Sequence, residues 1–318
     1  MYYTWPNDSF PFRLYLDRPE CRIFIIENIS HNYDWLKKVK HNIKKTDYFF
    51  VYVGWNISDH IAKHNKAVIK ELDLDIDNFF IMYNNPDEMG ISHEHGFSGD
   101  LIPHNTWLDE NLFKISKCEK KYDALYTARR TSWKRYELAA NIDNLAAAAG
   151  GPNHGNVKCS IPLCKNDPSI RLTPEQMVQL MNESWCGLSL SEEEGGSFST
   201  SEYLLCGLPV VSTPSKGGRD YWFNSDNSII AEPTPIDVKR AVDLVKEKNF
   251  NPQIIRRDHI RKARALRQKF IDKLSVIFEE YNIDDIPAHK YFTDNYYHKL
   301  RGSSHIDEVI KNFNTFDQ

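Results

Sequence analysis

Apolar runs and stretches of helical periodicity alternate along the chain. In its first third, continuous apolar runs predict β-strands, and the amphipathic stretches between them predict α-helices. The predicted strands are residues 12–16, 21–27, 48–55 and 79–83, and the predicted helices are residues 34–43 and 57–72. Because strands that alternate with helices are typical of a parallel sheet, this part of the chain is predicted to form a small α/β domain.

The same alternation returns after residue 121 and predicts a second, doubly wound parallel sheet. Its predicted strands are residues 122–127, 156–161, 185–190, 208–213 and 228–231. Its predicted helices are residues 135–149, 173–182, 202–206 and 234–248, and one long helical pattern follows at 254–281. The pattern therefore predicts the α/β class, with two parallel-sheet domains.

Residues 189–220 combine a strand, a glycine loop, a helix and a second strand in one βαβ unit. The loop of such a unit lies at the carboxyl edge of the sheet, where open α/β folds bind ligands. Gly195 and Gly196 would let the backbone approach a ligand closely. The amides of residues 197–201 would lie at a helix start, which favours an anion such as phosphate.

Two acids flank this helix start. Glu194 lies on the loop, and Glu202 follows about two helical turns later. Carboxylates in this arrangement can contact two parts of one extended ligand, such as a sugar and a ribose. The same spacing also fits solvated loop and cap residues, and spacing alone leaves both interpretations open.

The motif Glu194-x7-Glu202, followed by Cys206-Gly-Leu-Pro-Val-Val-Ser-Thr and a glycine pair, resembles the donor site of GT-B nucleotide-sugar glycosyltransferases, mainly the retaining families. The resemblance implies two Rossmann-like doubly wound domains that face a cleft, with a small N-terminal one. It implies that Glu194 faces the donor sugar and that Glu202 binds the ribose. The other implied donor-binding residues of this stretch are Gly195, Gly196, Ser199, Thr200, Ser201 and Gly218.

Two basic residues stand where these families hold the donor phosphates. Arg129 and Lys134 match the family spacing after the first strand of the second domain, although Ala128 replaces the usual glycine. Fixed cations would stabilise the charge that a nucleoside diphosphate gains as the glycosidic bond breaks. Arg130 is the rival of Arg129, because neighbours on a strand face opposite ways. The alternative is a pair of helix-start cations that face water.

Residues 101–113 resemble the crossing between the two GT-B domains, with His104-Asn105 in place of the common Asn-Gly. The resemblance divides the chain into an acceptor-side domain at 1–113, a donor domain with a closing helix at 114–283, and an extension at 284–318. We expect His104 to be a catalytic residue, and Asn105 and Asp109 to bind the donor.

Three histidines raise a metal hypothesis. His93 and His95 can bind one metal ion, together with His104, only if residues 90–96 form a loop or strand. The flanking glycines favour a loop. A substrate-binding or hinge role is the preferred interpretation, so no metal site is predicted. Asp73-Leu-Asp75 and Asp75-Ile-Asp77 are interpreted as a solvated turn.

Composition and charge limit the partners and the cellular location that we expect for this protein. The 318-residue chain has a net charge of −4, which gives no reason to expect a nucleic acid partner. No apolar run reaches the roughly 20 residues that span a bilayer, and the start lacks signal-peptide regions. Six scattered cysteines are typical of reduced thiols in a cytosolic protein. The basic helix at 254–281 is a solvated face, a brace for the first domain, or a peripheral contact for anionic lipid.

These features predict a glycosyltransferase in the cytoplasm or at the inner face of the membrane, active in cell-surface polysaccharide synthesis. It would move a sugar from a nucleotide-sugar donor to a glycan or lipid-linked acceptor. The family resemblance implies retention of the anomeric configuration, and no cofactor or metal is expected. If the reaction inverts, His104 or Asp109 becomes the first candidate base. The alternatives are a sugar-nucleotide 2-epimerase, which turns over donor alone, and a non-catalytic nucleotide-sugar-binding module. The oligomeric state stays open.

Overall fold

The computed structural model describes residues 12–129, 131–148, 161–163 and 172–300. Within them the chain forms two compact units, residues 12–107 with 264–300 and residues 108–263. The sequence predicts divisions at 113 and 283, whereas the second division falls within a long helix, between residues 263 and 264. The reason is packing, since Phe270, Leu274 and Ile277 are buried in one cluster with strands of the first sheet.

The first unit holds a five-stranded sheet in the order β1-β2-β3-β4-β5. Strands β1 and β2 pair antiparallel, and every later pair is parallel. The strands are β1 (Phe12–Asp17), β2 (Arg22–Glu27), β3 (Asp47–Tyr52), β4 (Phe79–Tyr83) and β5 (Ser98–Leu101). The helices between them are α1 (Tyr33–Val39), α2 (Asp59–Glu71) and α3 (Pro86–Glu94).

Aromatic side chains pack on both faces of this sheet. Phe24, Phe49 and Phe79 lie opposite one another in register and stack with ring centroids 5.1 and 5.0 Å apart. On the other face, the rings of Phe50 and Phe270 lie 4.9 Å apart. Each of these five rings is about 1% exposed or less, so each stabilises the fold by about 1.5–3 kcal/mol.

The second unit holds a six-stranded, fully parallel sheet. Its strands are β6 (Ala124–Thr127), β7 (Leu145–Ala148), β8 (Ile161–Leu163), β9 (Gly187–Ser189), β10 (Val210–Ser212) and β11 (Ser228–Ile230). Their order is β11-β10-β9-β6-β7-β8. The remaining helices are α4 (Pro174–Asn182), α5 (Phe198–Leu205), α6 (Pro235–Lys248), α7 (Pro252–Glu280) and α8 (Ala288–Asp294).

This strand order has one reversal. The chain runs outward from β6 through β7 to β8, and then returns to the other side of β6 with β9. That is the doubly wound 3-2-1-4-5-6 order, in which ligands bind outside the carboxyl ends of the strands at the reversal. The loops that follow β6 and β9 are therefore expected to form the ligand site.

The predicted helix at 135–149 is wrong. Two short 3-10 helices, Ser132–Lys134 and Tyr136–Ala139, and the strand β7 take its place. Arg135 has φ +47, which a continuous helix does not allow. The alanines of β7 favour a helix by propensity, but pairing with β6 and β8 overrides that preference. Of the predicted strand at 156–161, residues 156–160 lie outside the described part.

The predicted loop at 90–96 is also wrong in its first part, because α3 continues to Glu94. Asn85 caps this helix by accepting a bond from the Glu88 amide, and Pro86 occupies its first turn. Gly90 lies inside the helix rather than in a turn. The other predicted strands and helices are confirmed to within a few residues, and the strand at 79–83 has the predicted bounds.

Candidate functional site

Lys134 and Glu194 meet at the carboxyl ends of β6 and β9. The Nζ of Lys134 donates a hydrogen bond to Oε2 of Glu194, and the two side chains are only 15% and 13% exposed. Ser191 Oγ donates to the same oxygen at 2.6 Å. A partly buried, charge-assisted hydrogen bond of this kind is stronger than the hydrogen bond of an ordinary exposed ion pair.

Backbone bonds fix the loop that carries Glu194. The Glu194 amide donates to Lys216 O at 3.0 Å, and the Lys216 amide donates to Glu192 O at 2.9 Å. The Glu192 amide in turn donates to Trp133 O at 3.3 Å. The acid loop is therefore joined to the segment before Gly217 and to the turn that carries Lys134, which pre-orients the carboxylate.

Arg129 lies in the loop after β6, and its side chain is exposed. The carboxylate of Glu194 is paired with Lys134 instead. The phosphate role of Arg129 stays a prediction, and its rival Arg130 lies outside the described residues.

Two arginines that the sequence did not single out as site residues bind the same strand ends. Arg135 Nε donates to Leu190 O at 2.6 Å, and its Nη2 donates to Thr213 Oγ1 at 2.7 Å. Arg219 is fully buried and donates to carbonyls at the ends of β9 and β10. The signal available in the sequence for Arg219 was an arginine directly after two glycines.

The start of α5 is lined with hydroxyls. Oxygens of Ser189 and Thr200, of Thr200 and Ser197, and of Ser197 and Ser199 lie 3.2 Å apart in each pair. Ser197 also has φ +47 and ψ 91 at the residue that precedes the helix. A non-glycine residue in such a region costs about 1–3 kcal/mol, and such strain is found mainly at functional sites.

Most of the other predicted donor-binding residues of this unit are buried. Gly195, Gly196 and Gly218 are buried, and Ser201 is fully so. Glu202 is 6% exposed on α5. Because Glu194 and Glu202 are both largely removed from water, the interpretation of the two acids as solvated loop residues is not supported.

Two threonine hydroxyls near the reversal of strand order have no hydrogen-bond partner in the described structure. They are Thr127 Oγ1, at the carboxyl end of β6, and Thr131 Oγ1, in the loop that follows; both are buried. A buried hydroxyl without a partner costs about 1–3 kcal/mol, so these groups fit a site built for a polar ligand.

His104 and Asn105 belong to the first unit, in a 3-10 helix at His104–Trp107. His104 is 6% exposed, and its Nδ1–H donates to Val53 O at 3.0 Å. Its amide donates to Asn84 Oδ1 at 3.2 Å, and Asn84 Nδ2 donates to Val53 O at 2.8 Å. These bonds join the carboxyl ends of β3, β4 and β5.

Asp109 belongs to the second unit and is half-buried. Its Oδ1 accepts a bond from the Asn111 amide at 2.8 Å, which is the pattern of an Asx turn. The substrate roles of His104, Asn105 and Asp109 stay predictions.

Two carboxyls of the first unit, those of buried Glu88 and half-buried Glu27, were missed by sequence reasoning. Burial raises the pKa of Glu88 to about 7, against hydrogen bonds from backbone amides that lower it. Burial also raises the pKa of Glu27, whose Oε2 accepts a bond from Tyr52 OH at 3.1 Å. Glu27 is the last residue of the predicted strand at 21–27. Its position at the carboxyl end of a strand was the signal available in the sequence.

The metal hypothesis depended on a loop that is a helix. His93 lies on α3 with its ring 5.7 Å from that of Tyr83, and His95 Nε2 bonds Asp59 Oδ1 at 2.8 Å. Across the described ranges, no three or more His, Cys, Asp or Glu side chains are grouped so as to hold a metal ion.

The basic residues of α7 are largely engaged with the protein. Arg256 donates to the carbonyls of Phe113, Leu205 and Glu110, and Lys262 donates to Tyr221 O. Lys269 pairs with Asp100 at 2.6 Å. Arg257 and Arg261 are exposed beside Asp258. In the part of the chain that the structure describes, no helix combines the length and apolar character needed to cross a membrane.

The chain holds two Rossmann-like α/β units, as in the GT-B fold. No protein-family model and no curated protein sequence matches the chain.

Three solved structures have similar folds. HepE of Anabaena in complex with UDP has a TM-score of 0.55 and 14% identity over 79% of this chain and 78% of its own. The sucrose-phosphate synthase of Thermosynechococcus elongatus has a TM-score of 0.52 and 13% identity over 77% and 69%. The N-terminal domain of Candida albicans trehalose-6-phosphate phosphatase has a TM-score of 0.56 and 10% identity over 84% and 73%. At such identities the likeness is one of fold.

Proposed function

We propose that the protein is a glycosyltransferase that takes a sugar from a nucleotide-sugar donor, and that the donor binds where the strand order of the second sheet reverses. One observation carries the proposal. Lys134 and Glu194, which are 60 residues apart in sequence, form an ion pair at the carboxyl ends of β6 and β9. A cation and a carboxylate at that edge match the two ends of a sugar diphosphate.

Each group has a role that follows from its chemistry. Lys134 would bind a phosphate oxygen of the donor, and Arg129 would bind another with its planar fork. The amides at the start of α5 would hold the diphosphate further, as helix starts do. Glu202 would accept bonds from the ribose hydroxyls, and Glu194 from the sugar hydroxyls. The remaining predicted contacts are Gly195, Gly196, Ser199, Thr200, Ser201 and Gly218 around the donor, and Asn105 and Asp109 with His104 as further substrate contacts.

Donor binding would rearrange one bond. Lys134 is engaged with Glu194 in the structure, and a diphosphate carries more negative charge than one carboxylate. The donor would therefore draw Lys134 toward its phosphates and leave Glu194 able to accept bonds from the sugar. Thr127 and Thr131, whose buried hydroxyls have no partner in the described structure, would donate to the ligand.

The bond from the anomeric carbon to the diphosphate oxygen breaks, and its electron pair stays on the diphosphate. Lys134, Arg129 and the helix-start amides stabilise the charge that develops there. An acceptor hydroxyl forms the new glycosidic bond on the same face, and its proton passes to the leaving phosphate oxygen. The acceptor is proposed to be a glycan or a lipid-linked saccharide in cell-surface polysaccharide synthesis, and the protein itself supplies the cations without a metal.

A ligand screen tests the proposal. Thermal shift with UDP-, GDP-, dTDP- and CMP-sugars should raise the Tm for one donor class, because a ligand that binds only the folded state stabilises it. HepE was solved with UDP, so UDP-sugars are the first choice. Product analysis with the stabilising donor should then show transfer only when an acceptor is added. Turnover of donor alone would indicate an epimerase, and no shift with any donor would rule the proposal out.

A further inference from the structure

Arg219 connects to Glu194 through a single hydroxyl. Its Nη1 lies 3.2 Å from Ser191 Oγ, and Ser191 Oγ lies 2.6 Å from Glu194 Oε2. Arginine can only donate and an ionised carboxylate can only accept. The hydroxyl must therefore accept from Arg219 and turn its own proton toward Glu194. The three groups form one directed chain of hydrogen bonds.

The same guanidinium fixes the backbone on which this chain depends. Arg219 Nη1 also donates to Ser191 O at 2.8 Å and to Ser189 O at 3.1 Å, while Nη2 donates to Thr213 O. Asp220 pairs with Nε at 2.9 Å. Arg219 therefore determines both where the acid loop leaves β9 and how the Ser191 hydroxyl is oriented.

A buried arginine is a costly way to stabilise a loop. Arg219 is fully buried, and burial lowers the pKa of its guanidinium while Asp220 opposes that effect. Apolar residues of similar volume often stabilise a fold as well as a buried charge does. The directed bond to Ser191 is what an apolar residue in this place would not supply.

We propose that Arg219 is a positioning residue that orients Glu194 toward the donor sugar by way of Ser191. The inference rests on the proposed function, in which Glu194 binds sugar hydroxyls. Ser191 donates to Oε2 and would keep that bond when Lys134 turns to the phosphates, so Oε1 is the oxygen assigned to the sugar. Loss of Arg219 would free the hydroxyl to rotate and Glu194 to leave its rotamer, while the phosphate-binding groups stay in place.

Calorimetric titrations with two probes, UDP and UDP-glucose, test this. Arg219→Lys and Ser191→Ala should each weaken UDP-glucose binding by about 10-fold. They should change UDP binding by less than about 2-fold, because UDP lacks the glucose that Glu194 is proposed to bind. The double variant should bind UDP-glucose no more weakly than the weaker-binding single variant. Both substitutions interrupt the same chain of hydrogen bonds, so their effects should not add. Ser191→Ala removes one hydroxyl only, so it reports on the chain even if Arg219→Lys is poorly folded.

Arg22 is the matched control. It is another buried arginine, paired in bidentate fashion with buried Asp47 in the first sheet. Arg22→Lys should lower the Tm and leave the ratio of UDP-glucose to UDP affinity unchanged. If Arg219→Lys and Ser191→Ala also leave that ratio unchanged, or if their effects add, the positioning role is wrong. If the wild type binds neither probe nor any donor of the screen, the proposed function fails and this inference fails with it.

Discussion

The Nζ of Lys134 is bonded to the carboxylate of Glu194 between the carboxyl ends of two adjacent parallel strands. Neither residue is near the other in sequence, and both sit on loops that other bonds hold in place. The proposed function depends on this contact, because it defines a site where a cation and a carboxylate can bind opposite ends of one ligand.

Substitutions of Lys134 and of Glu194 should have different effects on UDP affinity. Lys134→Met should lower kcat by about 100-fold, the usual loss when one group that stabilises developing charge is removed, and it should weaken UDP binding as well. Glu194→Gln should lower the rate, and it should tighten UDP binding rather than weaken it, because it removes the carboxylate that competes with the diphosphate for Lys134. The measurements are steady-state kinetics and UDP titration.

Lys121 provides the control for this comparison. It pairs with Glu183 at 2.7 Å in the same unit, but it is 52% exposed. Lys121→Met should leave kcat and UDP affinity near the wild-type values, since exposed ion pairs contribute about 0–1 kcal/mol. Equal losses in Lys121→Met and Lys134→Met would contradict a specific role for Lys134.

Gly187 of β9 should not tolerate a side chain. A Cβ at this position would lie 2.2 Å from Cδ2 of Tyr203 on α5, and the ring is fully buried. Tyr203 cannot move freely, because its hydroxyl accepts from the Thr127 amide at 2.7 Å. Gly187→Ala should therefore destabilise the protein by about 1–3 kcal/mol, the usual cost of overpacking.

Urea unfolding of Gly187→Ala and Gly90→Ala measures this effect. Gly90 lies in α3 with nothing within 4 Å of an added Cβ, so alanine there should stabilise the helix by about 0.5–1 kcal/mol. Similar midpoints for the two variants would show that the packing of α5 on β9 differs from the structure.

Stability should fall as the pH rises through neutrality because of Glu88. Burial raises the pKa of its carboxyl from 4.5 to about 7, with Asp87 adding to the rise. The folded state therefore holds the proton more tightly than the unfolded state. The resulting contribution amounts to about 3 kcal/mol. It is present in full below about pH 4.5 and is lost as the pH rises through about 7.

Glu88→Gln should flatten the profile of unfolding free energy between pH 5 and pH 8. Glu94→Gln, which changes an exposed carboxyl on the same helix, should follow the wild-type profile. A Glu88→Gln profile as steep as that of the wild type would show that another group is responsible.

Activity should persist in EDTA, because Lys134, Arg129 and the helix-start amides are proposed to stabilise the leaving diphosphate. The measurement is the transfer rate before and after dialysis against the chelator. Complete loss, with recovery on adding Mn²⁺, would replace this part of the mechanism with metal assistance.

The sequence predicted the acid loop and its basic partner for a physical reason. Parallel strands bring their carboxyl ends to one edge, so the loops that carry Lys134 and Glu194 had to lie near each other once both strands were recognised. Short apolar runs bounded by polar loop residues marked both strands in the sequence, and β6 and β9 lie within them.

The contacts that orient the site were not predictable in the same way. Arg135 adopts φ +47, a conformation that nothing in its side chain favours, so the local pattern was interpreted as a helix. Arg219 is fully buried, whereas arginines are mostly exposed. Both depend on carbonyls at strand ends, which are tertiary features that residue patterns do not show.

The most direct test is a crystal structure of the protein with UDP. In the proposed donor site the diphosphate should lie within about 3 Å of Lys134 Nζ and of the amides at the start of α5. The ribose hydroxyls should be bonded to Glu202, and the Lys134–Glu194 contact should be broken. A diphosphate bound elsewhere, with Lys134 still paired to Glu194 at saturating UDP, would contradict the proposed function.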